Sequence, residues 1–108
     1  MNRLLIAIIV LTALALSGGT LAADAAAGKE KSQLCAGCHG PDGNTPMMPE
    51  YPKLAGQPAD YLEKVLRDYK KGARKNPMMM PMAQGLSKRD IKDLAAYYSS
   101  LKGDLKVK

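Results

Sequence analysis

Apolar and polar residues follow three different patterns along this chain of 108 residues. Residues 4–16 are apolar apart from Thr12. Two later segments, which begin near residues 58 and 87, place apolar side chains three or four positions apart, the spacing of an α-helix with one apolar face. Residues 40–57 instead contain four prolines and three glycines, and this density predicts a long irregular loop.

The first amphipathic segment predicts a helix from Pro58 to Gly72. Proline suits the first turn of a helix and glycine suits its carboxyl end. The predicted buried face consists of Tyr61, Leu62, Val65, Leu66 and Tyr69.

The last segment predicts a helix that Ser87 caps and Gly103 ends, with Asp90 as the acidic partner of a capping box. Its predicted buried stripe consists of Ile91, Leu94, Ala95, Tyr98 and Leu101.

Residues 24–34 predict a short alanine-rich helix, in which Gly28 indicates a close packing contact. Because no segment alternates as a strand does, the sequence predicts an all-α fold with short helices and long loops.

Residues 1–23 have the three-part pattern of a secretory signal peptide. Arg3 supplies a positive charge, the apolar run follows, and small residues extend to Ala23. A run of thirteen residues, of which only Thr12 is polar, is too short for a membrane span, which needs about 20 apolar residues. We therefore expect residues 1–23 to be cleaved and residues 24–108 to form one domain; an uncleaved amino-terminal anchor is the alternative.

The predicted mature domain has few large side chains for a core. The chain has no Phe, no Trp and five Tyr, so a flat apolar group could fill part of the interior. Without Arg3, fifteen Lys and Arg stand against ten Asp and Glu, a net charge of +5. An exported protein is a poor partner for nucleic acid, and this basic excess suits an acidic protein patch, an anionic membrane surface or simple solubility.

Cys35-Ala36-Gly37-Cys38-His39 is a C-x-x-C-H motif, the attachment signal of c-type haem. Two thiols at this spacing can form thioethers with the two vinyl groups of a porphyrin. His39 then lies under the ring, where its Nε2 can bind the iron. Two other uses of the motif are less well supported. A redox-active C-x-x-C disulfide usually lies in a βαβ fold, which this sequence does not predict. A zinc site needs more ligands than the two Cys and one His of this chain.

Residues 76–87 are rich in methionine, with Met78, Met79, Met80 and Met82 in five positions. We expect this segment to be a loop that supplies a thioether as the second axial ligand, because a soft sulfur favours ferrous iron. The other methionines would line the pocket. A Cu(I) tract would explain the clustered sulfurs but not the C-x-x-C-H motif.

The sequence resembles the class I cytochromes c, in particular the small soluble bacterial group related to the domains of dihaem periplasmic cytochromes. The resemblance rests on "CAGCHGPDGN", "YPKLAGQPADYL", "PMMMPMAQGLS" and "DLAAYYSSL", and it covers nearly all of residues 24–108. It implies that the first and last helices cross beside one covalent haem, with Gly28 at the crossing. It also implies that the Pro52 carbonyl accepts the His39 Nδ1–H and that Leu54 packs on the ring.

The resemblance also implies which sulfur binds the iron. In this group the ligand lies seven residues before the leucine that opens the last helix, and counting back from Leu86 gives Met79. Met82 is the first alternative, followed by Met78 and Met80. The expected metal ligands are therefore His39 and Met79.

These features predict a periplasmic carrier of single electrons and not an enzyme, since two axial ligands leave no open position on the iron. The expected partners are redox proteins with acidic docking patches. A cationic segment would face them; it consists of Lys64, Arg67, Lys70, Lys71, Arg74 and Lys75. One alternative is the haem subunit of a larger oxidoreductase, and another is a gas-binding or peroxidatic haem protein with a vacant sixth site.

Overall fold

A computed structural model of the chain describes residues 22–106. It contains five helices in that range: α1 (Ala25–Lys31), α2 (Gln33–His39), α3 (Ala59–Lys71), α4 (Met79–Gln84) and α5 (Lys88–Ser100). The described residues contain no strand, as the all-α prediction requires. No helix among them is long and apolar enough to span a bilayer. The predicted leader lies outside the described residues apart from Ala22 and Ala23.

The segment predicted as one helix over residues 24–34 contains α1 and the start of α2. Asp24 caps α1, since its Oδ1 accepts hydrogen bonds from the backbone nitrogens of Ala26 (2.9 Å) and Ala27 (3.2 Å). Ser32 separates the two helices, and its hydroxyl donates to the Lys29 carbonyl at 2.6 Å. The cysteine motif therefore lies entirely on α2, which ends at its histidine.

Helices α3 and α5 follow the apolar periodicity of the sequence. Pro58 and Gly72 flank α3, and Gly72 has a φ of 81°, the left-handed conformation that glycine adopts readily. The predicted capping box of α5 is present: Ser87 Oγ accepts from the Asp90 nitrogen at 3.0 Å, and Asp90 Oδ2 accepts from the Ser87 nitrogen at 2.9 Å. The helix ends at Ser100 rather than at Gly103, because Leu101 is already extended.

The methionine-rich segment is not the loop that the sequence predicted. Its central part forms the short helix α4, which follows a turn that the Asn76 side chain fixes: Asn76 Oδ1 accepts from the nitrogens of Met78 (2.9 Å) and Met79 (3.0 Å). Pro81 lies in the first turn, where a missing N–H removes no intrahelical hydrogen bond.

Helices α1 and α5, from opposite ends of the domain, pack closely at Gly28. A Cβ atom at Gly28 would lie 2.0 Å from the carbonyl oxygen of Asp93 and 2.8 Å from Cβ of Tyr97. Such distances are far below van der Waals contact, so this approach requires glycine. The crossing of the first and last helices at Gly28 is confirmed.

The core lies between α3, α5 and the long loop. Its buried apolar residues are Ala55, Leu62, Tyr69, Ala83, Ile91, Leu94, Ala95 and Tyr98. The predicted face of α3 is buried at Leu62 and Tyr69, whereas Tyr61 at the start of the helix is 45% exposed. The sequence prediction is therefore wrong for Tyr61, because this side chain stands at the edge of the core.

Replacing Gly28 with alanine is expected to destabilise the protein by about 1–3 kcal/mol, because the added methyl group must push α1 away from α5. In a domain of this size this corresponds to a fall in Tm of about 4–8 °C for each kcal/mol. Thermal unfolding followed by circular dichroism measures the change. Gly85→Ala is the matched control, since its new methyl would meet nothing closer than the Met82 carbonyl oxygen at 3.8 Å. Equal Tm values for the two variants would contradict the packing argument.

Candidate functional site

A cavity of about 450 Å³ lies between α2, α3, α4, α5 and the long loop. This volume falls in the usual range of ligand pockets, about 300–1,000 Å³. Most of its lining side chains are apolar, including Leu62, Val65, Leu66, Leu94 and Ala95. It is therefore an apolar pocket to which all five described helices contribute residues, α1 through Lys31 alone.

The walls of the cavity indicate an apolar occupant. Apolar side chains that line a space filled with water lose the hydrophobic stabilisation that contact with apolar atoms would provide. A large apolar group in this space would restore that stabilisation. A chain without Phe or Trp has no large side chain that could fill the space instead.

Helix α2 brings the three residues of the C-x-x-C-H motif to one wall of this cavity. Cys35, Cys38 and His39 all line it. The two cysteines are half-buried free thiols, and His39 is 7% exposed. Burial raises the pKa of the Cys35 thiol, and the Tyr98 hydroxyl is in hydrogen-bonding contact with it.

A hydrogen bond fixes the orientation of the His39 ring. Its Nδ1 lies 2.9 Å from the carbonyl oxygen of Pro52. A carbonyl oxygen can only accept a hydrogen bond, so Nδ1 must carry the proton. The lone pair of the neutral ring is then on Nε2, which makes Nε2 the free donor atom for a metal.

The long loop holds Pro52 in place by folding back on itself. Asp42 Oδ1 accepts from the nitrogens of Asn44 and Thr45, both at 2.9 Å. The Gly43 carbonyl then accepts from the nitrogens of Leu54 (2.8 Å) and Ala55 (3.0 Å). Leu54 lines the cavity beside Pro52. Hydrogen bonds within the loop thus hold the Pro52 carbonyl in position beside the histidine.

Methionines form another part of the wall. Met78, Met79 and Met82 line the cavity, whereas Met80 does not appear among its lining residues within the described chain. Met78 is 50% exposed, Met82 is 40% exposed, and Met79 is the most enclosed of the three. The Tyr51 hydroxyl also donates to Met78 Sδ at 3.8 Å.

Tyr98 belongs to the site, although the sequence indicated only that it is buried. It lines the cavity and is 4% exposed. Burial, and then the neighbouring Cys35 thiol, raise the pKa of Tyr98, so its hydroxyl stays protonated. The side chain thus presents a neutral donor close to a cysteine. Helical periodicity identified its buried face but gave no signal of this contact.

Charged side chains border the cavity. Lys31, Lys53 and Arg74 line it together with one carboxylate, that of Glu50. Arg74 Nε donates to the Tyr69 hydroxyl at 3.0 Å, and its guanidinium carbon lies 5.2 Å from the centre of that ring. These contacts were not predicted, because nothing in the sequence pairs residues 69 and 74.

The cationic segment is more engaged within the protein than its sequence suggested. Lys64 and Lys71 both pair with Asp68, and Arg67 lies 3.8 Å from Glu63. Lys70 donates to the Leu86 carbonyl and so ties α3 to the start of α5. Lys71 and Lys75 remain exposed to solvent.

Zinc was the rival metal for the two thiols and the imidazole of the C-x-x-C-H motif. Over residues 22–106 the structure contains no group of three His, Cys, Asp or Glu side chains that could hold a metal ion. The cavity instead combines two thiols, one imidazole, thioethers and apolar walls. This set fits a large flat apolar group that carries a metal with one nitrogen and one sulfur ligand.

Comparisons with known proteins agree with this fit. The family model described as cytochrome c matches residues 25–102. Cytochrome c-554(548) of Halomonas halodenitrificans is 54% identical over 82 residues, which are 73% of this chain and 98% of that protein. Cytochrome c4 of Pseudomonas aeruginosa is 45% identical over 105 residues, which are 94% of this chain and 50% of that protein.

The solved structures give the same result. The crystal structure of reduced recombinant cytochrome c4 from Pseudomonas stutzeri matches with a TM-score of 0.72 and 45% identity. The match covers 78% of this chain and 48% of that chain. This chain therefore spans about half the length of the cytochromes c4, but nearly the whole length of the Halomonas relative.

Proposed function

This chain belongs to the cytochrome c family and carries one covalently bound haem c, and we propose that it is a periplasmic carrier of single electrons. The observation that carries the proposal is one cavity lined by both thiols and the imidazole of α2 and by the thioethers of the methionine segment. When bound, the haem supplies an iron that accepts and releases one electron.

The proposed attachment uses the residues of α2. The Cys35 and Cys38 sulfurs would form the two thioether bonds, and His39 Nε2 would bind the iron. The Pro52 carbonyl keeps the proton on Nδ1 and prevents rotation of the ring, which raises the basicity of the ligand. Leu54 packs in the same wall and excludes water.

Met79 is the proposed sixth ligand. Three methionines line the cavity, and Met79 is the most enclosed of them, so its sulfur needs the least desolvation on binding. Its position in the first turn of α4 is fixed by the hydrogen bond from its backbone nitrogen to Asn76 Oδ1. A thioether ligand favours the ferrous state and raises the reduction potential.

The same arrangement argues for electron transfer without catalysis. With His39 and Met79 bound, the chain leaves no open position at the iron for a substrate. The apolar walls also keep water away, which limits the structural change between the two oxidation states. Export to the periplasm follows in this proposal from the leader over residues 1–23, and acidic redox proteins are the proposed partners.

Intact mass and visible absorption of the protein purified from the periplasm test the central proposal. We expect the mass of the polypeptide plus one haem and a Soret band that survives denaturation. Cys35→Ala combined with Cys38→Ala should lose the covalently bound colour, because no thiol remains to form a thioether. A mass equal to the amino acids alone, without visible colour, would reject the proposal.

Replacing Met79 with leucine should abolish the far-red band that a methionine sulfur gives on ferric haem iron, and should lower the reduction potential. Optical titration against redox mediators measures both. Met82→Leu is the matched control and should leave the band in place. Loss of the band in the Met82 variant alone would move the ligand to that residue. Rapid CO binding by the unaltered reduced protein would instead favour the gas-binding alternative.

The charges of Lys71 and Lys75 should steer acidic partners. Lys71→Glu with Lys75→Glu is expected to lower the electron-transfer rate about tenfold at low ionic strength, with the difference fading in high salt. Stopped-flow reduction by an acidic redox protein measures the rate. Lys29→Glu with Lys102→Glu makes the same charge change outside the cationic segment and is the control. Equal rates for both double variants would exclude this docking surface. Stable co-purification of the protein with a dehydrogenase would favour the alternative function, the haem subunit of a larger oxidoreductase.

A further inference from the structure

The carboxylate of Asp93 is buried in a place where the haem site does not use it. Asp93 lies on the face of α5 that packs against α1, and it is 1% exposed. It does not line the cavity. A buried carboxylate is costly unless cations or N–H donors compensate for the lost water. The donors around Asp93 therefore indicate what the residue does.

The groups that donate hydrogen bonds to the Asp93 carboxylate lie near the amino-terminal end of the predicted domain or contact it. Asp93 Oδ1 accepts from the backbone nitrogen of Asp24 at 2.9 Å and lies 3.2 Å from Arg89 Nε, while Oδ2 accepts from Lys31 Nζ at 2.7 Å. Arg89 also donates, through Nη2, to the carbonyl oxygen of Ala22 at 2.7 Å. The residues on both sides of Ala23 are thus held by one pair of α5 side chains.

The charges in this cluster do not balance. Its carboxylates belong to Asp24, Asp90 and Asp93, and its cations are Lys31 and Arg89, which face Asp93 from α1 and from its own helix. The Asp24 carboxylate caps α1 through two backbone N–H groups, but these carry no full charge. One more cation beside Asp93 would neutralise the cluster.

We propose that the amino group released on removal of the leader, at Ala23 or Asp24, forms an ion pair with the buried carboxylate of Asp93. This inference rests on the export proposed above. If Asp24 becomes the first residue, the nitrogen that already lies 2.9 Å from Oδ1 becomes the charged group. If Ala23 is first, the amino group lies one residue away, a reach of about 3.3–3.6 Å. Processing then completes the contact between α1 and α5.

The ion pair has a definite pH dependence. A free α-amino group has a pKa of about 7.7–8.0. Pairing with a buried carboxylate favours the ammonium form and raises this pKa in the folded protein. The stabilisation is therefore complete below about pH 7.7, the unfolded value, and is lost as the pH rises through the higher folded value.

The test begins with the haem-loaded protein after natural export. Intact mass should show Ala23 or Asp24 as the first residue. The α-amino pKa, measured by NMR titration, should lie at least about one pH unit above the ordinary 7.7–8.0 and return to that range in Asp93→Asn. Asp104→Asn, at an exposed carboxylate, should leave it raised. A first residue before Ala23 or after Asp24, or an ordinary pKa in the unaltered protein, would overturn the inference.

A second variant tests the ion pair without changing Asp93, in case Asp93→Asn folds poorly. Two glycines placed before the natural first residue move the amino group away. We expect this extended protein to lose the pH-dependent fall in Tm between about pH 8 and pH 10 that the natural protein shows. Identical pH profiles would overturn the ion pair. The visible spectrum and electron-transfer rate should be the same in both proteins, so a failure of the haem proposal would be seen separately.

Discussion

The apolar walls of the space between α2, α3, α4 and α5 are costly to leave in contact with water, and most other features of the molecule follow from covering them. The apolar faces of the helices surround a cavity of about 450 Å³. Across this cavity their side chains do not contact one another directly. A haem held by covalent bonds covers these walls permanently, because it cannot dissociate. The protein can then be very small, since its largest hydrophobic group is not an amino acid. The cofactor thus acts as the centre of the core as well as the carrier of the electron.

The loop supports His39, and the short helix α4 carries the proposed ligand Met79; both depend on a few polar side chains. Asp42 accepts hydrogen bonds at the beginning of the loop, and Asn76 fixes the turn that leads into α4. Each of these residues replaces the regular hydrogen bonding that proline-rich segments cannot provide. Pro52 then offers its carbonyl to His39 at a fixed place. Rigid ligands suit an electron carrier, because little has to move when the charge of the iron changes.

The sequence predicted the parts of this structure that local patterns control. Helices α3 and α5 follow from apolar periodicity and from their caps, and the chemistry of Cys35 and Cys38 follows from their spacing. Helix α4 was missed because it is only about one and a half turns long and follows a turn that the Asn76 side chain fixes, which leaves no periodic signal. The contact between His39 and Pro52 crosses an irregular loop, so it was expected through the family resemblance and not through spacing. The contacts of Arg74 and Asp93 depend on tertiary packing, and no pattern along the chain marks them.

The close contact at Gly28 also bears on the order in which the molecule can assemble. The two helices are far apart along the chain, since α1 ends at Lys31 and α5 begins at Lys88. Until α5 is in place, α1 has no surface to pack on, and closing so long a loop is an unfavourable early step. The cysteine motif directly after α1 is therefore accessible for as long as this contact has not formed. Attachment of a porphyrin at this stage would precede the closure of the domain around it.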